Sequence, residues 1–192
     1  SDAGDGAIRI TVNSATIVRN RNDLVLSDGF LEDSASVYGG PLDSPVLYKY
    51  PEMFLDDGSM RDNIYMVLLD VSVENPDGAT SRYYSGGEWI DHYENPYMFQ
   101  ASALCELVYT KSSTGNGFRL AYFSEKNAKL RNPDEFQLNV GEKKRFELGF
   151  LVGYELVVDR DQLNLIPVSP EELMLWSVLP DMTEKTWELQ LQ

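Results

Sequence analysis

The sequence predicts an all-β protein, specifically a β-sandwich, and three observations carry that reading. First, Tyr65, Val67, Leu69, Val71 and Val73 alternate with Asp70, Ser72 and Glu74 ahead of an Asn75-Pro76-Asp77-Gly78 turn, the mark of a long strand with one buried face. Second, the same alternation recurs along the chain between clusters of Gly, Pro, Asn and Asp. Third, a single segment reads as helix. About seven or eight antiparallel strands with one short helix near the C-terminus make a sandwich, with a closed barrel as the alternative.

Taken in order, Ile8, Ile10 and Val12 open a first strand that continues after a kink through Ala15-Thr16-Ile17-Val18. Residues 20–62 are irregular and turn-rich, with Gly39-Gly40-Pro41 and Asp56-Asp57-Gly58 as turns and Val46–Tyr50 as a short edge strand ended by Pro51. A stretch of that length reads as an elaborated excursion. After the central strand comes an aromatic loop, 81–97. A strand from Phe99 to Thr110 then pairs as a hairpin with Phe118, Leu120 and Tyr122. Phe136 and Leu138 start another strand, and Phe146, Leu148, Phe150 and Val152 alternate in the next. Ser169-Pro170-Glu171-Glu172 is a capping box with proline at the first helical position, so a helix is expected from there to Pro180. Trp187, Leu189 and Leu191 alternate in a terminal strand.

With 192 residues the chain suits one domain, taken as 7–192, behind a small polar tether at 1–6. A formal net charge of -15, with 31 acidic residues against 16 basic ones, opposes binding to nucleic acid or to an anionic bilayer surface. No apolar run approaches the ~20 residues that span a bilayer. The single cysteine, Cys105, excludes an intrachain disulfide and sits in a strand pattern as a small hydrophobe. The acidity and the tether fit an exported protein, with membrane contact only through a lipid anchor upstream of Ser1.

Two segments carry a resemblance. One is Tyr65–Asn75, ending Val71-Ser72-Val73-Glu74-Asn75; the other is Leu138-Asn139-Val140-Gly141-Glu142 followed by Leu148-Gly149-Phe150-Leu151-Val152. Their order and spacing resemble the immunoglobulin-like domains of unknown function found in exported lipoproteins of Gram-positive bacteria. The resemblance implies an immunoglobulin-like β-sandwich at the cell surface, and it brings no catalytic residues with it. The excursion at 20–62 and the aromatic loop depart from its pattern.

Chemistry is sparse. His92 is the only histidine, and no nucleophile-elbow pattern surrounds any serine, which argues against a hydrolase triad. One Cys and one His do not make a zinc site. Glu88, Asp91 and Glu94 invite comparison with the carboxylate pair of a glycosidase, but a solvated loop explains them more simply. Asp56-Asp57-Gly58 and Asp159-Arg160-Asp161 offer oxygen ligands for calcium, yet turn and capping roles are commoner for such residues.

The aromatic loop is the positive signal. Tyr83, Tyr84, Trp89, Tyr93 and Tyr97 crowd among polar residues, as in binding hot spots and sugar-stacking platforms, although rings that simply cover a sheet edge give the same pattern. The sequence therefore predicts a non-enzymatic, extracellular binding or accessory module without cofactor or metal, engaging a protein partner. The alternative is a carbohydrate-binding module that uses Tyr83, Tyr84, Trp89 and Tyr93 against a cell-wall glycan.

Overall fold

The computed structural model describes residues 8–31, 36–40, 43–44, 46–50, 52–76, 81–85, 88–92, 97–109, 117–159, 162–167, 170–178 and 184–192. Its first half holds β1 (Arg9–Val18), β2 (Ser36–Tyr38), β3 (Leu47–Lys49), β4 (Tyr65–Glu74), β5 (Ser81–Ser85), β6 (Glu88–His92) and β7 (Tyr97–Gln100). A single helical turn, α1 (Ala101–Leu104), leads into β8 (Glu106–Tyr109). There follow β9 (Gly117–Phe118), β10 (Leu120–Phe123), β11 (Glu135–Leu138), β12 (Lys143–Val152), β13 (Tyr154–Asp159), β14 (Gln162–Pro167), β15 (Leu173–Val178) and β16 (Glu184–Glu188). The fold is all-β, and the described segments outnumber the seven or eight strands expected, mainly because β2, β5, β6, β13, β14 and β15 form in stretches read from sequence as excursion, loop or helix or left without an element.

The central sheet runs β1-β4-β12-β10, every neighbour antiparallel. Further sheets run β16-β15-β8-β9, β14-β13-β2-β3, β11-β7 and β5-β6. Val67, Leu69, Val71 and Val73 of β4, with Phe146, Leu148 and Phe150 of β12, share one hydrophobic cluster with Leu107 of β8, Leu173 and Leu175 of β15, Phe99 of β7 and Phe136 and Leu138 of β11. One face of the central sheet is thus sealed by residues from two other sheets.

β1 shows how the sequence meets that requirement. Ile10 and Val12 are even-numbered while Ala15 and Ile17 are odd, so a regular strand would send one pair away from the core. A register shift between Val12 and Ser14 resolves the conflict: the extra residue flips the parity, and all four side chains belong to the same cluster. The kink read from sequence is this bulge.

The expectation of a single buried face on β4 needs correction. Met66 and Leu68, on the opposite face, are buried too. The excursion accounts for them. It lays Leu24, Phe30, Met53, Phe54 and Met60 over Met66, Leu68, Tyr122 and Leu151 as a second hydrophobic cluster. Phe30 lies at its centre, stacked on Tyr50 at 5.1 Å and edge-on to Phe54 at 4.9 Å and Tyr122 at 5.5 Å. The Tyr122 hydroxyl accepts from Leu26 N at 3.1 Å, so the polar end of a buried ring is satisfied. Only the far half of β4's outer face, at Asp70, Ser72 and Glu74, stays polar. As read from sequence, β3 is an edge strand.

The two resemblance-bearing segments meet. Asn75 N donates to the Glu142 carbonyl at 3.0 Å, Gly141 N donates to the Asn75 carbonyl at 2.6 Å, and the buried Asn75 amide donates to the Leu138 carbonyl at 3.4 Å. Glu142 closes the turn by accepting from Asn139 N and Nδ2, both at 2.8 Å. The asparagine after the long strand is there to tie down the Leu138–Glu142 turn.

Three other expectations change. The helix expected after Ser169 is one 3-10 turn, Pro170–Glu172, and the chain then runs as β15. Leu173 and Leu175 face the core at period 2, opposite Tyr109 and Leu107 of β8, and the Tyr109 hydroxyl donates to Glu172 at 2.7 Å. Tertiary pairing overrides the helical start signal. The strand expected from Phe99 to Thr110 is broken by α1 into β7, which pairs with β11, and β8, which pairs with β9; β10 leaves that hairpin for the central sheet. The terminal strand stops at Glu188, although Leu191 still bridges Ala15 of β1.

Candidate functional site

Most of the aromatic loop read from sequence is a β-ribbon. β5 and β6 pair in register, Tyr84 opposite Trp89 and Tyr83 opposite Ile90, with Gly86-Gly87 between the strands. Gly-Gly between two alternating runs is a two-residue hairpin signal. Successive residues of a strand belong to opposite faces, so Tyr84 and Trp89 share one face of the ribbon and Tyr83 belongs to the other. Tyr97 opens β7, while Tyr93 and Glu94 lie outside the described residues. Glu88 pairs with Ser85 and Asp91 with Arg82.

Asp57 has a turn role. It accepts from Ser59 N at 2.9 Å and from the Ser59 hydroxyl, hydrogen bonds that hold its carboxyl below the ordinary range. Cys105 is buried, and burial pushes its thiol up to about 12, which makes it a poor nucleophile. Among the described residues no three His, Cys, Asp or Glu side chains converge as metal ligands.

A concave feature among the described residues lies elsewhere. An open cleft of about 650 Å³ is bounded by Leu31, Ser102 of α1, Glu106 of β8, Arg119 and Leu120 at the start of β10, and the 126–134 loop. That loop is held by its own backbone: Asn127 N donates to Pro133 O at 2.8 Å, Leu130 N to Asn127 O at 3.0 Å, and Glu135 N to Asn132 O at 3.1 Å. Asp134, buried at its base, ties it to α1: Ser102 N donates to its carboxylate at 2.9 Å and Ala101 N to its carbonyl at 3.0 Å. The donors at the start of α1 are therefore already engaged.

The cations of the cleft divide into two kinds. Lys126 is spent on the fold, its ammonium donating to Asp28 O at 3.2 Å and Phe30 O at 2.6 Å. Arg119 and Arg131 are exposed and make no ion pair or hydrogen bond among the described residues. Leu130, 38% exposed, stands on the rim. Beyond it a second hollow of about 570 Å³ is lined by Phe136 and Phe146 with Lys144, Arg145, Glu125 and Glu135, charges of both signs. Leu130 belongs to both hollows. The arrangement places the exposed Leu130 side chain between charged groups, suited to holding a ligand.

Sequence reading missed this cleft because its walls come from separated parts of the chain. The available signal was the density of positive charge: Arg119, Lys126, Lys129 and Arg131 fall within one short stretch whose sole carboxylate is Glu125. No protein family, no curated protein and no solved structure matches this chain.

Proposed function

We propose that this chain is a non-catalytic binding module of the immunoglobulin-like β-sandwich kind, exported and held at the cell surface, and that it engages a protein partner across the Leu130 ridge. The observation that carries the reading is the cleft itself. It is open, walled by apolar and charged side chains together, and built on a loop fixed to two sheets. Binding sites are typically concave, with a few placed polar groups on an apolar lining. The surplus of negative charge supports export, and the strand-and-turn motifs around Asn75 and Gly141 support the immunoglobulin-like assignment and the cell-surface location that goes with it.

The test is retention of cell-surface proteins on immobilised protein, compared with a Leu130→Asp variant. A protein held by the wild type and released by the variant is the expected result. Identical retention by both would remove the cleft from the reading.

A second reading rests on the register pair Tyr84 and Trp89. A carbohydrate-binding module would stack a sugar on that face of the ribbon, and a glycan array would then show saturable binding that Trp89→Ala abolishes with the fold intact.

A further inference from the structure

We infer that the cleft recognises a carboxylate-bearing, extended peptide segment, with Arg119 and Arg131 as its anion contacts and Leu130 as its apolar rest. This deepens the protein-partner reading above and rests on it.

Three observations carry the inference. The first is charge without a partner. In a chain of net charge -15, guanidinium groups have many acceptors to choose from. Arg9 takes Glu74 at 3.0 Å and Arg145 takes both oxygens of Asp70, yet Arg119 and Arg131 take none among the described residues. The guanidinium fork matches a carboxylate with two parallel hydrogen bonds.

The second is local charge density. Residues 119–131 hold four of the chain's 16 cations and only one carboxylate, Glu125. Three of these cations, Arg119, Lys126 and Arg131, line the cleft with two carboxylates, Glu106 and an Asp134 already engaged by Ser102 N, and screening beyond about 8 Å at physiological ionic strength makes these near groups outweigh the rest of the acidic surface.

The third is shape. Two hollows of about 650 and 570 Å³ adjoin at Leu130. A small anion would occupy one of them. A ligand that uses both must be extended and pass over Leu130, placing its carboxylate at Arg119 and Arg131 and its apolar residues beyond, where Phe136 and Phe146 line the second hollow beside Glu125, Glu135 and the Glu142-paired Lys144. A peptide that joins acidic to apolar residues has that form. Glu106 lines the first hollow and opposes such a ligand, so the assignment also predicts its effect.

The experiment is selection from a decapeptide library that varies acidic, basic and apolar residues at every position, followed by fluorescence anisotropy of the selected peptides. Acidic-apolar peptides should be enriched on the wild type and lost on an Arg119→Ala/Arg131→Ala variant. Each single substitution should weaken the best peptide about fivefold, as for an exposed ion pair at the upper end of its range. Glu106→Gln should tighten it. Arg9→Ala, on a different strand and already paired, serves as the charge control and should change nothing. The inference is overturned by no enrichment, by enrichment of basic peptides, by binding indifferent to both arginines, or by an equal loss in Arg9→Ala. Displacement by inorganic phosphate but not by acetate would also overturn it, reassigning the site to phosphate. If surface-protein retention depends on Leu130 but not on the arginines, the carboxylate inference fails while the partner reading stands.

Discussion

Asp70 and Glu147 are register partners on adjacent strands of the central sheet, two carboxylates placed directly opposite each other. Their environments pull them apart. Arg145 Nε donates to the two oxygens of Asp70 at 2.8 and 3.0 Å and Asn13 Nδ2 donates at 3.1 Å, which holds its carboxyl below the ordinary range. Burial, and then the charge of Asp70, pushes the Glu147 carboxyl up, and one of its oxygens is buried without a hydrogen bond. Such a divergence can mark an acid and a base. Here the low member is already engaged by Arg145 and Asn13, and neither carboxylate lines the cleft.

The pair sets a pH dependence of stability. A raised folded value means that Glu147 contributes most below its unfolded value, about 4.3, and that the contribution is lost as pH rises through the folded value. Asp70 behaves oppositely: its contribution is present above about 3.9 and is lost as pH falls through its depressed folded value. Glu147→Gln should therefore stabilise the protein at pH 7 and have no effect near pH 4. Solvent screening keeps the gain small, about 0.5 kcal/mol. Urea denaturation at the two pH values checks this, and an equal effect at both would show that burial does not raise the Glu147 carboxyl in the folded protein.

Asn75 and Gly141 make a second prediction. Asn75→Ala leaves the Leu138 carbonyl without that donor in a buried setting, at a cost of about 1–3 kcal/mol. Gly141 has φ +78 and open space where a Cβ would go, so Gly141→Ala meets backbone strain alone, about 1–2 kcal/mol. The sites share one turn, so the double variant should lose less than the sum. Simple additivity in denaturation midpoints would mean that the turn is not held as a unit.

How much of this was legible follows from where each signal resides. β4 and β12 were readable because their alternation is local, and the bulge in β1 was visible as a change of parity between Val12 and Ala15. β15 was misread because Leu173 and Trp176, or Leu175 and Leu179, also fit helical spacing behind a proline cap; only pairing with Leu107 and Tyr109 decides for a strand. The second buried face of β4 depends on Phe30 and Met53, which come from a stretch with no periodicity of its own. The cleft is the extreme case, since Leu31, Ser102, Arg119 and Asp134 meet only after three sheets have formed.

Cys105 gives a third prediction. Its thiol is buried and pushed up to about 12, so almost none is thiolate at pH 8. A disulfide reagent should leave it unmodified in the native protein and titrate it fully in denaturant. Native labelling at the rate of a free thiol would mean that the Cys105 region opens readily.

Phe30 offers the sharpest test of the excursion as part of the fold rather than an appended loop. Its ring is buried among Tyr50, Phe54 and Tyr122, and its carbonyl accepts from Lys126, which links the second cluster to the loop that walls the cleft. Phe30→Ala removes a full ring from a packed site, where such changes cost about 3–5 kcal/mol. Phe30→Leu keeps much of the volume and should cost less. Because the ring packs on the outer face of the central sheet, the loss should appear as a shift of the whole unfolding transition, not as a separate early phase. Leu130→Asp, exposed on the rim, should leave the midpoint unchanged within about 0.5 kcal/mol. If Phe30→Ala kept the wild-type midpoint, residues 20–62 would be a dispensable covering, and the two-sided burial of β4 would contribute little to stability.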